Sequence, residues 1–381
     1  MKEIVIVAGK RTPMAEYCGA LRDYSALELG SIAAKAAIQQ SGFEPREFDH
    51  SIFGNALQTS GDALYGARHV ALKAGLPIEA PALTVNRLCG SGIQSIISAA
   101  QLIELDEATV VLAGGMESMS QAPHVIRGAR WGLKLGQAHL EDSLMVALLD
   151  TYCGCYMAAT AETLGRKYGV NREAQDEYAL RSQKLAAAAW SAGRFREEIT
   201  PIDKFVQDDH MRPDTTLEVL TRLKPAFAKD GLVTAGNASG IVDGGAAVVV
   251  TTRDRAKSQP LGRIVSWGIA GVPPEIMGIG PVPASKIALE KAGLKLSDID
   301  LVEVNEAFAA QYLAVEKALE LDRENVNVNG GAIALGHPLG ATGTRLVMTL
   351  LYELKRRKKK YGLASACIGG GQGIAMIVEA A

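Results

Sequence analysis

The chain has 381 residues, of which 48% are hydrophobic and 22% charged, with a formal net charge of −2. This is an ordinary composition for a globular protein with a large core, and the balanced charge gives no reason to expect a nucleic-acid partner. The five cysteines show no paired spacing, so we expect free thiols and no metal site. No stretch reaches the roughly 20 apolar residues of a membrane span, and we expect a cytoplasmic location.

Short β-prone segments alternate with helical patterns along the whole chain, which indicates an α/β architecture. The first strand lies near the N-terminus, and the order of segments occurs twice at an offset of roughly 250 residues. We therefore predict two related α/β halves, residues 1–258 and 259–381, separated at the polar linker 253–260. The matching pairs of segments are 4–9 and 264–268, 50–55 and 301–305, 85–90 and 328–331, and 110–115 and 363–370.

An additional segment, residues 117–235 approximately, interrupts the first half. It is irregular apart from a helical pattern over 172–192, and we expect it to form an inserted domain that caps the first half.

A basic run at 355–360 follows an apolar helical pattern. Cations are favourable at a helix C-terminus, so we interpret this run as a solvated helix end and not as a nucleic-acid site.

Cys89 is the first candidate functional residue. It follows a β-prone segment at 81–86, lies in a glycine-rich turn (Gly90 and Gly92) and precedes an apolar helical pattern. A helix N-terminus lowers the pKa of a thiol through its free N–H groups and partial positive charge. The local pattern alone leaves an inert, buried thiol as an equal alternative to a nucleophile.

Three further motifs place polar or reactive residues near predicted strand ends, where open α/β sheets carry their sites. His337 lies between Gly336 and Pro338, a fixed backbone that aims a side chain instead of packing it. The glycines after Cys367 offer backbone N–H groups suited to an oxyanion. The three motifs are 305–308 (NEAF), 336–343 (GHPLGATG) and 367–373 (CIGGGQG).

With these motifs the chain resembles the thiolase family, from Lys10-Arg11-Thr12-Pro13 to the last predicted strand, including segments 114–120 (GGMESMS) and 237–240 (NASG). The resemblance implies the thiolase fold: two duplicated α/β halves stacked in αβαβα layers, with an inserted loop domain. It also implies an enzyme of fatty-acid metabolism that cleaves 3-ketoacyl-CoA with CoA, or condenses two acyl-CoA molecules in reverse.

The resemblance assigns roles to five residues. Cys89 would carry the acyl group as a thioester, His337 would accept its proton, and Cys367 would move a proton at the α-carbon of acetyl-CoA. One oxyanion would be bound by His337 and a water held by Asn305, the other by the N–H groups of Cys89 and Gly369. CoA is then a substrate, and no cofactor or metal is implied.

The same resemblance predicts the contacts with acyl-CoA. Ser239 would lie near the pantetheine, and Arg212 near the nucleotide end, although a solvated loop charge is an alternative for Arg212. Met157, Met277 and Phe308 would line the acyl group, and core packing explains Met277 and Phe308 almost as well.

The segment Tyr156-Met157-Ala158 stands where biosynthetic acetoacetyl-CoA thiolases carry His-Met-Gly. We therefore favour a 3-ketoacyl-CoA thiolase of broad acyl tolerance; the alternative is an acetyl-CoA acetyltransferase specific for acetoacetyl-CoA, and a remote one is a non-catalytic acyl-CoA-binding scaffold. A decarboxylating ketoacyl synthase would have a second histidine where Cys367 stands. Family members form homodimers, and the loop 123–136 resembles the loop that assembles homotetramers.

Overall fold

The computed structural model describes residues 2–136 and 138–381. Its strands include one long central set and several two-residue pairs in the inserted segment. In chain order the strands are β1 (Ile4–Arg11), β2 (Ala15–Glu16), β3 (His50–Gly54), β4 (Ala82–Val85), β5 (Val110–Glu117), β6 (His124–Val125), β7 (Glu141–Asp142), β8 (Leu149–Asp150), β9 (Cys155–Tyr156), β10 (Val242–Thr252), β11 (Gly262–Gly271), β12 (Leu301–Val304), β13 (Tyr361–Ile368) and β14 (Gln372–Ala380).

The helices alternate with these strands as the hydrophobic pattern predicts. The helix expected over 172–192 is present at nearly those bounds. In chain order the helices are α1 (Ala26–Ser41), α2 (Gly66–Ala74), α3 (Ser91–Glu104), α4 (Ser143–Ala147), α5 (Met157–Tyr168), α6 (Arg172–Ser191), α7 (Leu217–Thr221), α8 (Pro281–Ala292), α9 (Ala309–Leu319), α10 (Ala332–Leu335) and α11 (Leu339–Arg357).

The main sheet runs in the order β12-β13-β14-β11-β1-β10-β5-β3-β4. It consists of two sets with the same pairing: β3 is parallel to β5 as β12 is to β13, and both sets continue through antiparallel neighbours. The sets join where β1 pairs with β11 at only two positions, Val5 with Arg263 and Ile6 with Gly262. Three of the four segment pairs noted in the sequence therefore lie on equivalent strands of the two sets. The fourth pair does not, because residue 85 ends β4 whereas residues 328–331 belong to no strand of the main sheet.

Helices α3 and α11 form the central layer. Their apolar residues pack in one core with residues from both sets of strands, such as Ile6 and Val248 from one set and Ala366 and Met376 from the other. Helices α1 and α2 cover the outer face of the first set, and α8 and α9 that of the second. This is the predicted αβαβα stacking, and it makes the middle helices the most enclosed elements.

Glycines allow the two central helices to begin very close to the sheet. A Cβ on Gly115, in β5, would lie 1.8 Å from the carbonyl oxygen of Gly340, in the first turn of α11. A Cβ on Gly92, in the first turn of α3, would lie 2.4 Å from the backbone nitrogen of Thr344. Since no side chain fits in these places, backbone packs directly on backbone where both helices start.

The inserted segment packs on both halves, not on the first alone as the sequence suggested. Its Glu198 and Asp208 bind the fully buried guanidinium of Arg11 in β1, at 2.7 Å from Nε and Nη1 respectively. Helices α5 and α6 meanwhile contribute Leu164 and Tyr178 to the core beneath α9 of the second half. The sequence could not show which half these helices cover, because a helix has the same amphipathic pattern whichever half it packs on.

Candidate active site

The turn before α3 holds Cys89 at the end of β4. The hydroxyl of Ser91 accepts a hydrogen bond from the backbone N–H of Arg87 at 2.8 Å and donates one to the carbonyl of Leu88 at 2.7 Å. Asn86 accepts from the N–H of Leu88, whose φ of +46° is unusual for a side chain of this kind. The turn is thus fixed by its own side chains, and it presents the half-buried Cys89 at the start of the helix.

The thiol of Cys89 is neutral in this setting, contrary to the lowered pKa expected from the helix N-terminus. Burial raises its pKa to about 12, and the negative charge of Glu117 acts in the same direction. Hydrogen bonds to the sulfur from the N–H groups of Gly369 and of Cys89 itself lower the pKa, but by less. The two donors that the sequence assigned to an oxyanion therefore converge beside the sulfur atom.

His337 begins the turn that leads into α11. Its Nδ1 lies 2.6 Å from the hydroxyl oxygen of Thr342, and this hydroxyl donates to the carbonyl of Pro338 at 3.0 Å. The oxygen of Thr342 must then accept a hydrogen bond from Nδ1–H, which leaves Nε2 as the unprotonated nitrogen. Asn305 donates to Nε2 through its side-chain nitrogen at 3.2 Å.

The imidazole of His337 is held neutral by its surroundings. Burial, and then the positive charge of Arg345, lower its pKa to about 3. Nε2 is therefore an acceptor over the whole physiological pH range. The buried Oδ1 of Asn305 has no hydrogen-bond partner among the described residues, so it can still accept one bond.

Cys367 lies inside β13, as its second-last residue, and not after the strand as the sequence suggested. It is fully buried and packs with Met277 and Ala307, with Met157 and Phe308 against the same cluster. Burial, with a smaller contribution from Cys89, raises the pKa of this thiol well above its ordinary value. The two thiols thus share one apolar pocket, and both are protonated.

A cavity of about 430 Å³ leads to this pocket. Its wall is mainly apolar and comes from the inserted segment, the start of β10 and the turns before α9 and α11. Ser239, Met157 and Phe308 from the predicted substrate contacts line it, whereas Met277 is buried in the cluster around Cys367. The lining residues are Met119, Met145, Leu148, Tyr156, Met157, Ala158, Ala159, Ala226, Phe227, Ala238, Ser239, Gly240, Ile241, Phe308, His337 and Leu339.

Arg212 lies apart from the other predicted site residues. It lines a second cavity of about 540 Å³, and its Nη2 binds the carboxylate of Glu16 at 2.8 Å. Its Nη1 donates to backbone carbonyls of residues 209 to 211, although the side chain remains 54% exposed. The structure thus gathers Cys89, His337, Asn305, Cys367 and Gly369 in one place and puts Arg212 at a different opening.

Sequence reasoning assigned no role to three residues that hold this site in place: Thr342, Glu117 and Glu306. Glu306, next to Asn305, accepts hydrogen bonds from Tyr178, Ser182, Asn327 and the backbone of Ile333, all within 3.1 Å. An acidic residue inside a motif is the only sequence signal for such a role. Among the described residues, no group of three or more His, Cys, Asp or Glu side chains is arranged to hold a metal ion, and no helix is long and apolar enough to cross a membrane.

Comparison with known proteins agrees with this geometry over the full chain. The profile described as "Thiolase, N-terminal domain" matches residues 4–254, and "Thiolase, C-terminal domain" matches residues 258–380. The chain is 54% identical to a human protein named 3-ketoacyl-CoA thiolase, mitochondrial, covering 100% of this chain and 98% of the relative. It is 48% identical to an acetyl-CoA acetyltransferase of Cupriavidus necator, with 100% of both chains covered.

A solved structure gives the same result. The crystal structure of human mitochondrial 3-ketoacyl-CoA thiolase in complex with CoA superimposes with a TM-score of 0.98 at 54% identity, over 100% of this chain and 98% of that one. The resemblance seen in the sequence motifs and the expected fold are both confirmed. The chain belongs to the thiolase family.

Proposed function

We propose that the protein is an acyltransferase that cleaves 3-ketoacyl-CoA with CoA, and in reverse performs the Claisen condensation, through an acyl thioester on Cys89. The observation that supports this most directly is that two protonated thiols and a neutral imidazole lie beside one apolar cavity: His337 lines it, and Cys89 and Cys367 pack in the clusters of its lining residues Leu339, Met157 and Phe308. Acyl transfer and carbon–carbon cleavage each need one thiol, and a reaction with only one of these steps would not need both.

In the first step the thiol of Cys89 gives its proton to Nε2 of His337, and its sulfur attacks the 3-keto carbon. The N–H groups of Cys89 and Gly369 point at the sulfur, so they meet the oxygen of the carbonyl that the sulfur attacks. The bond between C2 and C3 then breaks, and its electron pair becomes the enolate of acetyl-CoA.

The enolate oxygen would be bound by His337 and by a water held at Asn305, and the thiol of Cys367 would protonate C2 to release acetyl-CoA. The resulting thiolate of Cys367 then takes the proton of the incoming CoA thiol, whose sulfur attacks the acyl group on Cys89. The bond between the acyl carbon and the sulfur of Cys89 breaks, and the leaving thiolate of Cys89 takes back its proton from Nε2 of His337. A well-aimed donor is typically worth about 3 kcal/mol in such a transition state.

The acyl-CoA would enter through the cavity lined by Met157, Phe308 and Ser239. The mainly apolar wall suits the acyl chain and pantetheine, and Ser239 supplies a hydroxyl group at its side. Arg212 would meet the nucleotide end from the second opening, and this requires its guanidinium to exchange Glu16 for a phosphate.

The chain-length test uses wild-type protein and 3-ketoacyl-CoA substrates of increasing length, starting with acetoacetyl-CoA, at fixed free CoA. Comparable or rising activity on longer chains is expected for the broad 3-ketoacyl-CoA thiolase that Tyr156-Met157-Ala158 suggests. Activity confined to acetoacetyl-CoA would instead favour the acetyl-CoA acetyltransferase. The measurement is needed because a single side chain in the acyl pocket changes the discrimination between two substrates by only about 1–3 kcal/mol. Binding of acyl-CoA without turnover would favour the scaffold.

The cytoplasmic location expected from the sequence is wrong. Human and bovine relatives that match 100% of the chain are named as mitochondrial enzymes, and they point to a mitochondrial location. Free thiols indicate a reducing compartment, and this feature does not separate the cytosol from the interior of a mitochondrion.

We further propose that the chain forms a homodimer that assembles into a homotetramer. Edge strand β4 has β3 as its sheet neighbour and exposes Leu83, which suits pairing with a second copy. The loop 123–136 exposes Trp131 and Leu135, at 87% and 108%, and such apolar side chains are typical of a surface that another copy covers.

A further inference from the structure

Glu117 is a buried carboxylate for which the chemistry described above has no use. It is the last residue of β5, and its side chain is fully enclosed. Four N–H groups donate to it: the side-chain nitrogen of Asn55 at 2.8 Å, and the backbone nitrogens of Leu57 at 2.9 Å, Ala56 at 3.1 Å and Gly340 at 2.8 Å.

Four donors occupy both carboxylate oxygens and leave no place for a proton. A protonated acid would turn an O–H toward an N–H group and lose one of these bonds. The hydrogen-bond pattern therefore requires the ionised form. Burial works against this charge and raises the pKa of Glu117 to about 7, while the N–H groups of Leu57, Gly340 and Ala56 lower it.

The donors come from two segments that are distant in the chain. Asn55, Ala56 and Leu57 directly follow β3, and Gly340 lies in the first turn of α11, three residues after His337. The carbonyl of Gly340 is pressed against the backbone at Gly115, where no side chain fits. Glu117 is thus the polar link between the end of the sheet and the turn that carries His337.

The charge of Glu117 also acts on the nucleophile. Burial is the main reason why the pKa of Cys89 is raised, and the charge of Glu117 acts in the same direction, so an ionised Glu117 adds to the effect that keeps the thiol protonated before substrate binds. One other titratable group acts on its charge: Asp243 on β10 opposes ionisation of Glu117. His337, three residues before the donor Gly340, is neutral.

We propose that Glu117 is a positioning residue of the thiolase reaction: its ionised carboxylate fixes the first turn of α11, and with it His337, against the strand end beside Cys89. The catalytic part of this proposal rests on the function proposed above. The effect on Cys89 does not, because the reactivity of a thiol can be measured without turnover.

The experiment compares wild-type protein, Glu117→Gln and the surface control Glu107→Gln. Alkylation of Cys89 by iodoacetamide is followed by peptide mass spectrometry across pH, and kcat and KM are measured with acetoacetyl-CoA and CoA. For Glu117→Gln we expect faster alkylation of Cys89 at each pH below the pKa of this thiol, because a negative charge that raises this pKa is lost. We also expect kcat to fall roughly 10- to 100-fold, with KM within about threefold. Glu107→Gln should match wild type in both.

An unchanged rate of Cys89 alkylation, or an unchanged kcat, in folded Glu117→Gln would overturn the proposal. Asn55→Ala is the second variant if Glu117→Gln does not fold, since it removes one donor and keeps the carboxylate. It should raise the pKa of Glu117, so the loss of kcat on the acid side should begin at higher pH than in wild type. A loss of kcat that begins at the same acid pH as in wild type would again contradict the proposal. Failure of the wild-type protein to cleave acetoacetyl-CoA would refute the proposed function and leave the alkylation result to decide the position of Glu117.

Discussion

The two halves of the molecule begin their central helices at the same sheet edge, but they place different chemistry there. Helix α3 starts two residues after Cys89, and α11 starts two residues after His337. Helix α3 is buried along one face, whereas every residue of α11 from Leu339 to Leu354 is buried. The comparison shows how a duplicated scaffold supplies two equivalent helix starts, one for the proposed nucleophile and one for its proposed base.

The two helix starts are also alike in that burial keeps the reactive side chain of each uncharged. Burial raises the pKa of Cys89 and lowers that of His337, so both side chains are neutral at rest. A thiolate–imidazolium pair is therefore not the resting state of this site. Proton transfer between the two helix starts has to accompany the attack on substrate, when the oxyanion donors can stabilise the new charge.

The largest effect is expected from removing the nucleophile of the first half. Cys89→Ala should lower thiolysis and condensation by roughly 10⁴-fold or more, because no acyl thioester can form. Steady-state rates in both directions and the intact mass after incubation with acetyl-CoA measure this. Cys18→Ala, at an exposed thiol, is the matched control and should behave as wild type. An acylated Cys89→Ala protein would refute the assignment.

A smaller effect is expected from the thiol of the second half. Cys367→Ala should still acquire an acetyl group on Cys89 from acetyl-CoA, yet lose carbon–carbon bond formation and cleavage by roughly 10²- to 10⁴-fold, the usual contribution of a general acid or base. Mass spectrometry of the acyl-enzyme and thiolysis of acetoacetyl-CoA separate the two activities. If the variant also fails to acylate, the two thiols do not divide the steps as proposed.

His337 should link the second helix start to the pH dependence of stability. Its folded pKa of about 3 lies below the ordinary value of 6.5, so the unfolded chain binds more protons between these limits and stability falls as pH falls. At about pH 5.5 this costs about 1 kcal/mol relative to about pH 7.5. His337→Gln should lose this contribution, which urea unfolding at the two pH values measures. An equal pH dependence in both proteins would contradict the buried, neutral imidazole.

The smallest effect on chemistry is expected at the surface of the inserted segment. Trp131→Asp should reduce the mass in solution from tetramer to dimer and change the thiolysis rate by no more than about twofold, since the loop lies outside the catalytic pocket. Light scattering after size exclusion measures the mass, with Val206→Asp, at another exposed apolar residue, as the control. A wild-type mass near that of one chain, or a tetrameric variant, would contradict the assembly.

Much of the fold and the central site could be predicted because the signals are local. Glycine-rich turns mark Cys89 after β4 and His337 before α11, and a glycine run marks the end of the strand that contains Cys367. Repeated strand segments mark the duplication. The sequence could not show the four bonds of Glu117 or the ion pairs of Arg11, because their partners are distant in the chain. It also misjudged the pKa of Cys89, since the cost of burial depends on packing and exceeds the favourable effect of the helix start.

The central layer has a consequence for how the chain is made. Strand β1 pairs with β10, from Ile4 opposite Thr252 to Arg11 opposite Ala246. Helix α11, near the other end of the chain, closes the core between the two sets of strands. On the ribosome the N-terminal strand therefore emerges long before either of these partners. The core beneath α1 and α2 can close once β10 has emerged, because it comes from residues 5–256, but the face that α11 covers stays open until almost the whole chain has been translated. An open apolar face of this kind makes an incomplete chain prone to aggregation.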